Sequence, residues 1–573
     1  MCANLWSHHT ENESKRRSAQ RLSREKTLSV LVRAKNKFML NYCLKRLLLF
    51  SSIALLAPLG MAGCASLPPA ATQPKPVTRA VDPSLESRLG DAFQPMSKGH
   101  GSDSGFRMVS TGIEGLTERI EMIDAAQRSI DLQYYIFRAD ESGNLVAEAL
   151  LRAADRGVRI RLIVDDGETV AGDEQILSLS AHSGFEVRIY NPLRYRGHNK
   201  IRRGAEFLFD KARVDYRMHN KLLVADNVVA IIGGRNIGNQ YFQIDPGSQF
   251  GDDDVVVAGP IVARLSDVFD EFWNSPIAIP AQTADKLDAS EAALSRYLAA
   301  LAKYRERLNG EPPATAQGAP KQTFADIMSG HTPLHWAPVK LVYDSPDKRD
   351  VGNGDAKGRL IYKAIADQAN SASTELLMVT PYFVPSADEW TRLAAARERH
   401  VRVRVLTNSL EAAPSAEAQS GYMHHRRQLL QGGVELHEVR AMLGSARGSG
   451  QGKAISRHGN YALHAKMYVF DRKTSFVGSM NYDQRSKRLN TEIGLLIASP
   501  ELSGDIAARF DALTQLDNSY AVTLSDGATG RQHLIWTTQE AGVVVHRDTE
   551  PARNVLQKVK VRLLSVLPLE REL

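Results

Sequence analysis

At 573 residues the chain is long enough for several domains and a large buried core. Its net charge of +7 and pI near 9.1 invite a nucleic-acid partner, yet outside residues 1–63 the count is 61 basic against 62 acidic side chains. The body therefore has no global field to draw nucleic acid, and with only Cys2, Cys43 and Cys64 present, an internal disulfide or cysteine metal site in it is excluded.

Residues 1–38 are polar and basic, unlike an export leader, and are expected to be an extension upstream of a true start at Met39. Residues 39–63 have the form of a secretory signal: Lys45-Arg46, an apolar run from Leu47 to Leu56 too short to span a bilayer, then small residues. The ending Met61-Ala62-Gly63-Cys64 resembles a lipoprotein signal, which implies that Cys64 is acylated and becomes the first mature residue; a plain cleaved signal or an uncleaved anchor is the alternative. Ala65 after it is, by analogy with Gram-negative lipoproteins, expected to direct the protein to the outer membrane.

A Pro/Ala-rich tether is expected over residues 64–100. The first lobe, 101–280, opens with an amphipathic helix carrying Leu116, Ile120 and Ile123, then a strand over 130–137, a helix over 145–154 and a strand over 158–164, a βαβ rhythm. A strand over 185–190, a hairpin, an apolar strand ending at Ala258 and a helix with Leu265, Val268, Phe269, Phe272 and Trp273 on one stripe complete it. Residues 281–335 are expected to be an insertion with a helix over 289–304 and no visible chemistry. The second lobe, 336–517, repeats the order, with strands over 375–379, 401–406 and 434–439, a hairpin, a strand over 492–497 and a last helix carrying Leu502, Ile506, Phe510 and Leu513. Residues 518–573 hold a short β segment and a basic, apolar stretch from Lys558 to Pro568, suited to an anionic membrane surface or to packing on the second lobe.

The two hairpins carry the chemistry. The first runs His219-Asn220-Lys221 through Asp226 and back to Gly233-Gly234-Arg235-Asn236; the second runs His464-Ala465-Lys466 through Asp471 and back to Gly478-Ser479-Met480-Asn481. Side chains alternate across a strand, so the His and Lys of each copy share a face and reach one anion. Asp226 and Asp471, though members of the repeated motif, have the wrong parity and are assigned to the turn and to scaffold contacts. The small residues ending each return strand are expected to let the backbone approach a ligand, with Asn236 and Asn481 donating amide hydrogen bonds. His219 to His464, Tyr135 to Tyr382 and Arg159 to Arg402 are separated by 245, 247 and 243 residues, which argues for internal duplication.

These two copies, with Asp131 to Phe137, Gly157 to Arg161, Thr407 to Leu410 and Asn490 to Gly494, resemble the phospholipase D superfamily, and within it the bacterial cardiolipin synthases of the C type. The resemblance implies an α/β fold with a pseudo-twofold duplication, two lobes each with a mixed β-sheet flanked by helices. It implies that His219 is the nucleophile and His464 the acid/base, that Lys221 and Lys466 with Asn236 and Asn481 hold the phosphate, and that Asp252 and Glu492 orient the imidazoles. The alternative for Asp252 is solvation among three consecutive aspartates. Arg235, where the second copy has Met480, is expected to bring a guanidinium near the first site.

Displacement at phosphorus needs positive charge around the oxygens, an attacking group and a proton for the leaving alkoxide, and two His-x-Lys motifs supply all three without a metal or other cofactor. The expected substrates are phospholipids, phosphatidylglycerol with phosphatidylethanolamine as a candidate donor, at a membrane, with no nucleic acid and no identified protein partner. A hydrolase making phosphatidate, or a non-catalytic envelope scaffold, are the alternatives. Tyr135 and Tyr382 end equivalent strands, where α/β ligands gather, and a core position is expected of both.

Overall fold

The computed structural model describes residues 74–84, 86–167, 173–194, 206, 210–245, 247–283, 290–307, 323–348, 360–444, 460–526 and 532–567; the leader and Cys64 lie outside them. The first lobe contributes β1 (Ser104–Val109), β2 (Ser129–Tyr134), β3 (Arg159–Asp165), β4 (Phe185–Tyr190), β5 (Lys221–Ala225), β6 (Val229–Gly233), β7 (Gln249–Gly251), β8 (Asp254–Ala258) and β9 (Ala278–Pro280). Next come β10 (His335–Ala337), β11 (Val339–Tyr343), β12 (Glu375–Val379), β13 (Arg402–Asn408), β14 (Glu435–Val439), β15 (Tyr461–Leu463), β16 (Met467–Phe470), β17 (Thr474–Gly478) and β18 (Ile493–Ile497). Then β19 (Ser519–Asp526), β20 (Gln532–Glu540) and β21 (Val543–Arg547) follow.

The duplication is visible in strand order. One sheet runs β10-β1-β8-β6-β5-β2-β3-β4-β9 and the other β11-β18-β17-β16-β12-β13-β14-β19-β20-β21, so eight consecutive places correspond. In both sheets only the three strands of the βαβ part are parallel to one another, β2-β3-β4 in one and β12-β13-β14 in the other. Each sheet is therefore mixed and flanked by helices on both faces, as a βαβ unit joined to antiparallel hairpins requires.

Alternation along the hairpin strands distributes side chains between two cores. Leu223 and Ala225 of β5 enter the first lobe's own core under the helices Gly112–Ala125 and Glu141–Asp155. Their neighbours Leu222 and Val224 face the other way, into a core that also holds Met467, Val469, Ile493 and Leu495 of the second sheet. The helices Ile261–Asn274 and Pro500–Leu513, with Leu265, Phe269, Phe272 and Trp273 on one and Leu502, Ile506 and Phe510 on the other, fill this shared layer. The two lobes are fixed to each other by apolar burial before any polar contact is counted.

Three boundary expectations change. The tether expected over 64–100 is ordered where it is described: Thr78 accepts a hydrogen bond from Trp273 Nε1 at 2.9 Å, and Arg188 donates to the Pro76 carbonyl at 2.6 Å. A helix Arg88–Ser97 then buries Leu89 and Phe93 in the first core, capped by the Ser87 hydroxyl. The insertion packs on the first lobe through its helix Glu291–Arg307, whose Tyr297 and Leu301 are buried there, and its end supplies β10 to the first sheet. The C-terminal residues continue the second sheet, because β19 pairs antiparallel with β14.

Candidate functional site

The two hairpins place their turns and strand ends at opposite ends of the same ladder. Asp226 and Asn227 have φ of 53° and 56°, Asp471 and Arg472 φ of 53° and 54°, a left-handed pair within the short connection between Ala225 and Val229 and between Phe470 and Thr474. The Asp226 carboxylate accepts from the backbone N–H groups of Gln127, Arg128 and Ser129 at 2.7–3.2 Å, and Asp471 accepts equivalently from Ser373, Thr374 and Glu375. Both aspartates lock the hairpin turn to the start of the central strand, at the end of the hairpin away from the His-x-Lys pair.

At the other end the lobes exchange backbone bonds. His219 N–H donates to the Thr491 carbonyl at 2.9 Å, and Thr491 N–H to Arg217 at 2.9 Å. Opposite it, His464 N–H donates to the Gly251 carbonyl at 2.7 Å, beside the parallel pair β7 and β15. A side chain at Gly251 would fall 1.8 Å from the Tyr461 hydroxyl, so this crossing needs glycine.

The carboxylates cross as well. His219 Nδ1 lies 2.9 Å from Glu492 Oε2, and His464 Nδ1 lies 2.6 Å from Asp252 Oδ2, so each imidazole is held by the other lobe. All four residues are buried. Lys221 donates to the His219 carbonyl and Lys466 to the His464 carbonyl, which brings each ammonium beside its own histidine. Asn236 and Asn481 are buried at the return strands; the Asn236 oxygen accepts from Ile136 N–H at 3.2 Å, and the Asn481 oxygen has no partner among the described residues.

The small residues expected to approach a ligand make room for the acids instead. A Cβ on Gly234 would meet Asp252 Oδ1 at 2.1 Å, whereas its counterpart Ser479 donates its hydroxyl to Glu492. The three consecutive aspartates are buried, each with its own partner: Asp252 with His464, Asp253 with Arg509 and Asp254 with Arg119 and Arg235. Arg235 does not reach toward a substrate. Its guanidinium is fully buried and donates to the carbonyls of Val109 and Asp252, a strut beneath the strand that carries the acid.

Tyr135 departs from the expected core position. It is only partly buried, its ring meets His219 edge-on at 5.2 Å, and Lys221 Nζ lies 5.4 Å from the ring centroid. His464 has a different setting, stacked on Phe250 at 5.1 Å and 4° and edged by Tyr241 at 5.2 Å. Phe250 lies two residues before Asp252, so the parity that pairs His with Lys also finds this ring; Tyr241, in an irregular loop, leaves no such signal.

The electrostatics break the twofold relation. Burial would raise Asp252, but His464 and Lys466 outweigh it and hold the carboxyl below the ordinary range. Burial raises Glu492 to about 7, against the pull of Lys221 and the Ser479 hydroxyl. Both histidines are pushed down, first by burial and then by the adjoining lysines, His464 to about 3. Burial lowers Lys466 to about 8. Such a site offers two neutral imidazoles, one beside a firm carboxylate and one beside a carboxyl that titrates near neutrality.

The family model described as cardiolipin synthase, PLD-like domain, matches residues 119–273 and 365–514, one hairpin in each segment. Cardiolipin synthase C of Escherichia coli (strain K12) is 33% identical over 493 residues, 84% of this chain and 99% of that protein. Cardiolipin synthase A of Yersinia pestis bv. Antiqua (strain Angola) is 24% identical over 439 residues, 75% and 72% of the two chains. Among solved structures, phosphatidylserine synthase from Haemophilus influenzae Rd KW20 is 14% identical, with a TM-score of 0.47 over 76% of this chain and 92% of that one. With the family model matched in two segments and nearly the full length of a curated relative covered, the chain belongs to the PLD-like cardiolipin synthase family and is an enzyme of the phospholipase D superfamily.

Proposed function

We propose that this protein is a phosphatidyltransferase that moves a phosphatidyl group from a donor phospholipid to a glycerol hydroxyl of phosphatidylglycerol, giving cardiolipin, through a phosphohistidine on His219. The crossed pairing carries the reading: two His-x-Lys motifs meet with each imidazole fixed at Nδ1 by a buried carboxylate of the other lobe, which turns Nε2 away from that carboxylate, with Lys466 Nζ 3.1 Å from Nε2 of His464.

In the first half, Nε2 of His219 attacks phosphorus, the bond to the departing headgroup oxygen breaks, and His464 gives that alkoxide a proton. In the second, His464 takes the proton from the incoming hydroxyl, whose oxygen forms the new bond to phosphorus as the N–P bond breaks. Lys221, Lys466, Asn236 and Asn481 surround the non-bridging oxygens.

The asymmetry supports these roles. A phosphodiester anion between Lys221 and Lys466 counters the charges that depress the histidines. Asp252, the firmer carboxylate at 2.6 Å, then favours an imidazolium at His464, the acid. His219, whose partner Glu492 sits near 7, stays the neutral nucleophile. Acylation of Cys64, outside the described residues, would tether the enzyme in the cell envelope beside substrates that do not leave the membrane.

The test is product analysis by mass spectrometry in mixed micelles of phosphatidylglycerol with and without phosphatidylethanolamine. Cardiolipin that vanishes in both His219→Ala and His464→Ala supports the transferase and identifies the donor. Phosphatidate alone moves the assignment to hydrolysis, and no lipid product moves it to another phosphodiester or a scaffold.

A further inference from the structure

The helix Val555–Leu564 ends the described fold with its apolar side turned outward. Its inner side is anchored: Val561 is fully buried, Gln557 donates to the Leu410 carbonyl at 2.6 Å, and Asn554 caps the first turn by accepting from Gln557 N–H at 2.8 Å. At 3.6 residues per turn, Val555, Leu556, Val559 and Leu563 fall on the opposite face, and Val566 and Leu567 continue it. These are among the most exposed large apolar side chains of the described residues, with Val555 and Leu556 at 76%, Leu563 at 67% and Val566 at 82%. Lys558 and Arg562 flank the strip on one edge and Lys560 on the other.

We propose that this face is a docking surface for an anionic membrane, on which the helix lies in the interfacial plane with the apolar strip among the acyl chains and the cations at the phosphates. The charge pattern selects that occupant. Residues 551–568 hold Arg553, Lys558, Lys560 and Arg562 and no Asp or Glu; Lys560 stands 3.7 Å from Glu417, so anionic headgroups answer above all the rim of Lys558 and Arg562. A second copy of the chain would oppose like charges. It would also offer little area, because a helix of 10 residues is only about 15 Å long, against the roughly 800 Å² per partner of a stable interface. The same length makes the helix too short to span a bilayer and suits it to lying flat. The surface goes beyond the catalytic reading and does not rest on it, since docking needs no turnover.

Hydrogen exchange read by mass spectrometry on the full chain tests this, with vesicles of one part phosphatidylglycerol to two parts phosphatidylcholine and with vesicles of phosphatidylcholine alone. Peptides covering 555–567 are expected to gain protection on the anionic vesicles only, and to lose it in high salt. The readout is local, so attachment through another segment does not imitate it. Leu556→Ser with Leu563→Ser, both at exposed positions, removes the protection, and so does Lys558→Gln with Arg562→Gln, while both variants keep turnover on a short-chain phospholipid below its micellar concentration. Equal protection on neutral vesicles, none on either, or protection without lipid in a concentration-dependent dimer overturns the proposal. Failure of the short-chain turnover in the unaltered protein would count against the catalytic reading alone.

Discussion

Asp252 and Glu492 hold equivalent positions, yet one is ionised throughout the ordinary pH range and the other titrates near 7. If ionised Glu492 is what fixes His219, kcat/KM rises with pH through an acid limb near 7. Ser479→Ala removes a donor that favours the carboxylate, so the limb moves to higher pH, which a pH–rate profile reads. Asp252→Asn is expected to lower kcat by about 100-fold or more at every pH, without moving that limb. The stability sign follows from the same shift: a raised carboxyl contributes stability that is fully present below its unfolded value and is lost as pH rises through about 7. Denaturant unfolding of Glu492→Gln should therefore show it gaining on the parent protein as pH rises from the ordinary carboxyl value to about 7, with no further gain above that. At this scale the sequence picked out residues that the fold brings together and not how the two sets differ, since Ser479 against Gly234 and Phe250 against Tyr135 matter only once the lobes cross.

The hairpin is the element that sets the site. Its turn is tied by one carboxylate to three backbone donors, and its far end carries His and Lys, so the turn and the chemistry are separable. Asp226→Ala removes the acceptor of those donors, of which the Ser129 N–H is buried and those of Gln127 and Arg128 are at the surface, and should cost about 2 kcal/mol of unfolding free energy, while the molecules that remain folded keep their turnover. A loss of kcat without loss of stability would put the aspartate in the chemistry instead. Gly234→Ala behaves in the opposite way. Its methyl takes the place of Asp252 Oδ1, so turnover falls by about 100-fold or more with little change in the melting temperature. Period two was enough to read the strands, the turns and the His-Lys face. It did not tell whether the small residues of the return strand cleared space for a ligand or for a neighbouring strand, because both leave the same Gly-Gly signature.

At the scale of the molecule, duplication was legible in three nearly equal spacings, and the matching strand orders give it structural form. Composition misled where a segment packs on something distant in sequence: the Pro/Ala-rich stretch before residue 100 contains a helix that buries Leu89 and Phe93. The crossed carboxylates make each half incomplete. Expressed as separate chains cut at Pro338, between β10 and β11, the halves should each lack turnover and regain it on mixing, which an activity titration of one half against the other reads.

The most direct measurement is rapid quenching of the enzyme with a phospholipid labelled in its phosphatidyl group, followed by peptide mapping under conditions that preserve phosphohistidine. Label is expected on the peptide containing His219 in the unaltered enzyme, formed more slowly in His464→Ala, which lacks the acid of the first half, and absent in His219→Ala. Label on His464, or cardiolipin formed by His219→Ala at an undiminished rate, would contradict His219 as the nucleophile.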